Sequence, residues 1–156
     1  MNYGNRFEFF HPGKLVNGGL ELILVEKQPA APTRGIVPAY IFKMKRVGTN
    51  IHIGGVSLRV GNNENIDMYA GHIGYGVNQE YRGNRYAARS CQLILPLAKR
   101  HGINPIWITC NPDNIASRRT CEIAGAKFVE IVEIPKKFYY LYKKADRLKC
   151  RYRIDL

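Results

Sequence analysis

A chain of 156 residues, 46% apolar and 23% charged, fits one compact domain that needs no metal or disulfide to hold its core. No stretch approaches the ~18 apolar residues of a membrane span, and the opening Met1-Asn2-Tyr3-Gly4-Asn5-Arg6 lacks the apolar run of an export signal, so a cytoplasmic protein without membrane partners is expected. The 24 Lys and Arg against 12 Asp and Glu give +12, gathered in two patches: seven basic residues and one acid from Arg82 to Arg119, eight and two from Lys136 to Leu156. Such clustering indicates localised anion sites more than a general nucleic-acid coat.

The first nineteen residues, rich in Gly, Asn and aromatics (Tyr3, Phe7, Phe9, Phe10), match no element. Leu20–Glu26 is a short apolar run suited to a strand. Pro29, Pro32, Gly35 and Pro38 break the next stretch too often for a helix. Ala39–Arg46 and Ile51–Val60 flank Gly48-Thr49-Asn50 as a hairpin, and Asp67–Val77 follows as a fourth strand. From Gly83 to Arg100 the period changes: Ala87, Cys91, Ile94, Leu95 and Ala98 share one helical face, interrupted by Pro96. Ile106–Cys110 reads as a buried strand. Asn111-Pro112 opens a second helix that Gly125 closes. Lys127–Ile134 and Leu148–Ile154 are strands, the last with a basic face. The order β-β-β-β-α-β-α-β-β defines an α+β (mixed α/β) domain spanning residues 1–156. Its sheet is mixed and mostly antiparallel, with one parallel β-α-β crossover.

Chemistry concentrates in Asn78-Gln79-Glu80-Tyr81-Arg82-Gly83-Asn84-Arg85-Tyr86-Ala87, where a strand ends in a glycine-containing turn that opens a helix. Free backbone N–H groups there face any anion. Arg82, Arg85 and Arg89 sit beside that helix start, where carboxylates are the favoured residues. A bound phosphate reverses the argument, because dipole and arginines then face negative charge together. Cys91, Cys110, Cys121 and Cys150 form no CxxC pair and no zinc spacing, so free thiols and no metal are expected.

Over roughly Ala39 to Ile134 the chain resembles the GNAT superfamily of acyl-CoA N-acyltransferases. The family signature Gln/Arg-x-x-Gly-x-Gly/Ala after a strand ending in Val is matched by Val77 and Arg82-Gly83-Asn84-Arg85-Tyr86-Ala87. The pattern of the following helix is matched by Asn114, Ser117, Cys121-Glu122 and Gly125. The resemblance implies acetyl-CoA as cosubstrate. Arg82, Gly83, Asn84, Arg85, Tyr86 and Ala87 would hold its pyrophosphate, and its pantetheine arm would lie along Tyr75-Gly76-Val77. The Val77 N–H would polarise the thioester carbonyl, Asn114 and Ser117 would meet the arm from the second helix, and Arg85, Arg89 and Arg118 would be available to the remaining phosphates.

Three departures from the family stand out. Its central glycine is Arg85 here, and its thiol-protonating tyrosine is Cys121. The stretch from Lys27 to Pro38 is too short for the helices that usually wall the acceptor site. That leaves the acceptor side open, built from the N-terminal aromatics, or completed by a second copy in a homodimer. His72, five residues before Val77, occupies a strand position where many family members carry a catalytic Glu, and its near-neutral pKa suits a general base. The alternative for His72 is a structural histidine, and for Cys121 a core thiol. The implied activity is N-acetylation of a primary amine, in a small molecule or a peptide, by direct attack in a ternary complex. Two other classes compete: an acyl-CoA-binding regulator without turnover, and a basic nucleic-acid-binding domain in which Tyr139, Tyr140 and Tyr142 alternate with lysines.

Overall fold

The computed structural model describes residues 7–156, so Tyr3 and the rest of the opening hexapeptide lie outside the described residues. Eight strands and two α-helices follow in chain order: β1 (Leu15–Asn17), β2 (Leu20–Gln28), β3 (Ala39–Arg46), β4 (His52–Arg59), β5 (Ile73–Val77), α1 (Tyr86–Arg100), β6 (Ile106–Cys110), α2 (Ile115–Ile123), β7 (Lys127–Glu133) and β8 (Leu148–Ile154). They form a five-stranded antiparallel sheet, β1-β2-β3-β4-β5, and a three-stranded one, β6-β8-β7. The expected α+β architecture and its order of elements are present. The sheet, however, is split into two between the strands that flank α1.

The core follows from strand alternation. Tyr40, Phe42 and Met44 of β3 and Val56 and Leu58 of β4 are buried on one face, each such side chain contributing roughly 1.5–3 kcal/mol of burial. Helix α1 lies on that face through Cys91, Ile94, Leu97 and Ala98. The helix continues through Pro96 because Pro96 and Gln92, whose carbonyl loses its partner, are both on the exposed side. The N-terminal aromatics secure its far end. Phe7 and Phe10 stack on His101, whose Nε2 lies 2.6 Å from the Tyr40 hydroxyl.

The opposite face of the five-stranded sheet carries Ile41, Lys43, Ser57, Arg59, Gly74 and Gly76 by the same alternation. Among the described residues no α-helix lies on it. Between β2 and β3 there is one 3-10 turn, Pro32–Arg34, in keeping with the shortness of that stretch.

Several boundaries move by one to three residues, and two differences bear on the site. Asp67–Val77 is not one strand: Ile66–Ala70 forms a π-helical turn, and only Ile73–Val77 is extended. The turn buries Ile66 and Tyr69 together, and Gly71, at φ 75°, ends it. The second helix begins at Ile115 rather than at Pro112, because Asn114, not Asn111, is its cap: Asn114 Oδ1 accepts from the Ser117 N–H at 3.0 Å. The nineteen unassigned residues contribute the short strand β1, which pairs with β2.

Candidate active site

Strands β5 and β6 meet only at their base. There the His72 N–H donates to the Trp107 carbonyl at 2.7 Å, and Gly71 bridges to Ile108. A Cβ on Gly71 would stand 2.8 Å from the Trp107 oxygen, so glycine is required for the strands to touch. Beyond that point β5 is paired with β4 alone. The Arg59 N–H donates to His72 and the Asn78 N–H to Ile53 at the two ends of the β4–β5 register. Antiparallel alternation therefore turns the His72 carbonyl, the main-chain groups of Gly74 and Gly76 and the Asn78 N–H towards β4, and the N–H groups of Tyr75 and Val77 towards the open edge. The Val77 N–H faces this opening. Its carbonyl is capped by Arg82 Nε at 3.1 Å.

The turn after β5 delivers the chain to α1 in an unusual conformation. Arg85, the residue before the helix, has φ 59° and ψ 24° with no side-chain cap. It is the one non-glycine residue with positive φ among those described. This left-handed geometry costs an L-residue about 1–2 kcal/mol and is the one a glycine adopts freely, so the backbone keeps the glycine conformation under an arginine side chain. The first intrahelical bond runs from the Arg89 N–H to the Arg85 carbonyl. Among the described residues, no acceptor meets the N–H groups of Arg85, Tyr86, Ala87 and Ala88. Four donors at a positive helix end, flanked by exposed Arg82 and Arg85, form an anion cradle.

The other two arginines named from the sequence are committed elsewhere. Arg89 donates through Nε to Asn17 Oδ1 at 2.9 Å and tethers α1 to β1. Arg118 donates through Nε to the Tyr152 hydroxyl at 3.1 Å. Asn84 braces the turn by donating to the Tyr81 carbonyl at 3.1 Å.

Where the strands part, Tyr75 reaches across the gap to α2. Its hydroxyl lies 2.6 Å from Ser117 Oγ and 3.8 Å from Cys121 Sγ. Cys121 is fully buried. Its contact with the Cys110 thiol and then its burial hold its proton firmly. Cys110 moves the other way, down to about 7, first through its neighbour Cys121 and then, against its burial, through Ser117 and the charges of Arg118 and Lys149. Tyr75 is likewise pushed well above the usual phenol range, first by burial. All four cysteines are free and buried, as expected.

His72 sits at the closed end of the gap rather than in it. It is fully buried, with Nδ1 accepting from the Trp107 N–H and Nε2 2.9 Å from Asn62 Oδ1. Burial, and then the Arg59 charge, push its pKa down to about 4. Asp67, 4.0 Å away, is therefore no ion-pair partner near neutral pH. Both ring nitrogens are occupied, which favours the structural alternative over the general base. Because the folded value is depressed, the unfolded chain takes up a proton that the folded chain refuses as pH falls below the ordinary value. Stability should drop between about pH 6.5 and 4, by up to about 3 kcal/mol. Urea unfolding of the wild type should lose about 2 kcal/mol more between pH 7 and 5 than that of His72→Gln. Equal losses would show that His72 is not the group responsible.

A one-sided strand edge running into an anion cradle suits an extended ligand that ends in phosphate. A family model described as Acetyltransferase (GNAT) domain matches residues 25–127, and the chain belongs to the GNAT acetyltransferase family. No curated protein sequence gives a match. Solved structures share the fold. A ribosomal-protein-S5-alanine acetyltransferase from Vibrio fischeri is 15% identical with a TM-score of 0.66, covering 91% of this chain and 96% of that one. A ribosomal L7/L12 alpha-N-protein acetyltransferase in complex with coenzyme A is 16% identical with a TM-score of 0.66, covering 92% and 98%. The microcin C7 self-immunity acetyltransferase, in complex with acetyl-CoA and AMP, is 18% identical with a TM-score of 0.58, covering 76% and 61%.

Proposed function

We propose that the protein is an acetyl-CoA-dependent N-acetyltransferase that moves the acetyl group to a primary amine by direct attack in a ternary complex. The observation that carries this reading is the run of free N–H groups from Arg85 to Ala88 beside a β5 edge bonded on one side only. Arg82 to Ala87 would hold the pyrophosphate, Arg85 adding a charge-assisted contact. The open edge from Tyr75 to Val77 would take the pantetheine arm. Asn114, whose Oδ1 is already used in capping α2, retains its amide N–H groups for the same arm. Bound there, acetyl-CoA supplies an activated acyl group.

The chain's own work is then positioning, exclusion of water, and an N–H from Val77 aimed at the thioester carbonyl. In the Tyr75–Ser117–Cys121 cluster, Tyr75 and Cys121 keep their protons, and the cluster lines the floor of the gap. A thiolate leaving group of pKa near 8.5 needs little further help. Proton removal from the amine falls to solvent or to the acceptor's own ionisation. A peptide α-amino group, with pKa about 8, is substantially neutral at pH 8 without any enzymic base. The rate should accordingly rise with pH along the acceptor's own titration: near 8 for an α-amine and near 10 for a lysine side chain.

The burial of both His72 and Cys121 also favours a second reading, an acyl-CoA-binding regulator without turnover. Release of free thiol from acetyl-CoA, followed across a panel of amines and peptides from pH 6 to 10, separates the two. Amine-dependent release that tracks the acceptor pKa is the expected result. Coenzyme binding without release for any acceptor would establish the regulator.

A further inference from the structure

Arg59 ends β4 on the uncovered face of the large sheet, directly alongside β5. Its Nη1 donates to the carbonyls of Gly71 at 3.0 Å and Ala70 at 3.4 Å, which fixes the guanidinium. A Cβ on Gly74 would lie 3.5 Å from Arg59 Nη2 and 3.2 Å from Ser57 Oγ, so the remaining nitrogen lies over the middle of β5. Among the described residues no carboxylate pairs with Arg59, nor with Lys43 on the same face, whereas Lys45 pairs with Glu21.

Arg59 also lines a cavity of about 380 Å³ whose walls include Ile36, Val37, Ile66, Phe138 and Leu141. The ionic groups at its rim are Arg34 and Glu64, and Glu64 is already paired with Lys137. A half-buried cation without a counter-ion, at the mouth of an apolar cavity, is a site for an anion on an otherwise apolar or extended ligand.

The floor between this cation and Val77 is bare. Gly74 and Gly76 present no side chain to this face, and a Cβ on Gly76 would meet nothing within 4 Å. Gly74 is three residues from Val77, about 10 Å at strand rise. We propose that this face receives the acceptor as an extended peptide amino terminus, its amine at Val77 and an acidic side chain near the third residue held by Arg59. The proposal rests on the transferase reading and names its substrate class. Arg59 would be a specificity-determining residue, and the cavity beyond it would take the next apolar side chain.

The test uses three peptide amides, Ala-Ala-Glu-Ala, Ala-Ala-Gln-Ala and Ala-Ala-Lys-Ala, with thiol release as readout and coenzyme A affinity measured by calorimetry in parallel. For the wild type, kcat/KM should be about tenfold higher for the Glu peptide than for the Gln peptide, and lowest for the Lys peptide. Arg59→Gln should erase that order, and Arg59→Lys should restore part of it, with coenzyme A affinity unchanged in both. The comparison within the wild type stands even if a variant fails to fold. Equal rates for the three peptides, or acetylation of other amines but none of these, would overturn the acidic-peptide proposal alone. Absence of coenzyme A binding by the wild type would overturn the transferase reading with it.

Discussion

Arg85→Asp should make the protein more stable and at the same time cripple its hold on coenzyme A. The residue precedes α1 with φ 59° and no side-chain cap. Asp tolerates this left-handed conformation better than Arg, and a carboxylate at a helix start contributes about 0.3–1 kcal/mol. Together these should raise the melting temperature by about 2–4 °C for a chain of this size. Binding should move the opposite way, because a cation beside four free N–H groups becomes an anion facing the polyphosphate. Loss of one charge-assisted contact and gain of one repulsion imply on the order of a hundredfold weaker affinity at low salt, narrowing as salt screens exposed charge. Arg85→Gly relieves the same backbone strain without reversing charge, and should weaken binding about tenfold. Calorimetry at two ionic strengths checks both variants. Unchanged affinity in Arg85→Asp would mean that the helix start does not hold phosphate.

The second large effect is expected at Val77, through its main chain. Proline there removes one N–H and nothing from the β4–β5 ladder, since the alternation turns Gly76 and Asn78 to β4 and Val77 away from it. Proline is tolerated at such an edge position, and Gly76 before it is already extended. Removing one preorganised donor at a developing oxyanion costs about 10²–10³ in kcat. Val77→Pro should therefore lose at least two decades of turnover, with coenzyme A affinity falling far less because the phosphates bind elsewhere. Stopped-flow thiol release under single-turnover conditions reads the loss directly. Full activity in Val77→Pro would remove the oxyanion role from this amide.

Much of this site was legible in the sequence because its parts are local. A strand ending at Val77, a glycine turn and a helix start lie within about a dozen consecutive residues, and the free N–H groups follow from helix geometry alone. The second helix and its Asn114 and Ser117 were equally readable, although Asn114 proved to be the cap where Asn111-Pro112 carried the stronger start signal. What escaped depends on distant partners. Nothing near Arg89 announces that Asn17 will capture it, and Arg118 is drawn to Tyr152 across 34 positions. The partners that enclose the ring of His72, Asn62 and the Trp107 main chain, come from two separate segments, so a histidine with a suitable pKa in sequence becomes a neutral, buried one in the fold. Asp67–Ala70 reads as strand because its apolar residues continue those of β5; only the break at Gly71 and the shared burial of Ile66 and Tyr69 separate them. Arg59 gave no signal at all, since one arginine ending an alternating strand looks like any solvated charge.

Titrating coenzyme A into the ¹⁵N-labelled protein and following backbone amide resonances tests the central claim most directly. The largest shifts are predicted at Arg85, Tyr86, Ala87 and Ala88, whose N–H groups meet no acceptor among the described residues, and at Val77 on the open edge, with those of Gly76 and Asn78 moving less. Saturable shifts confined to other surfaces, leaving the start of α1 and the edge of β5 unmoved, would contradict the account.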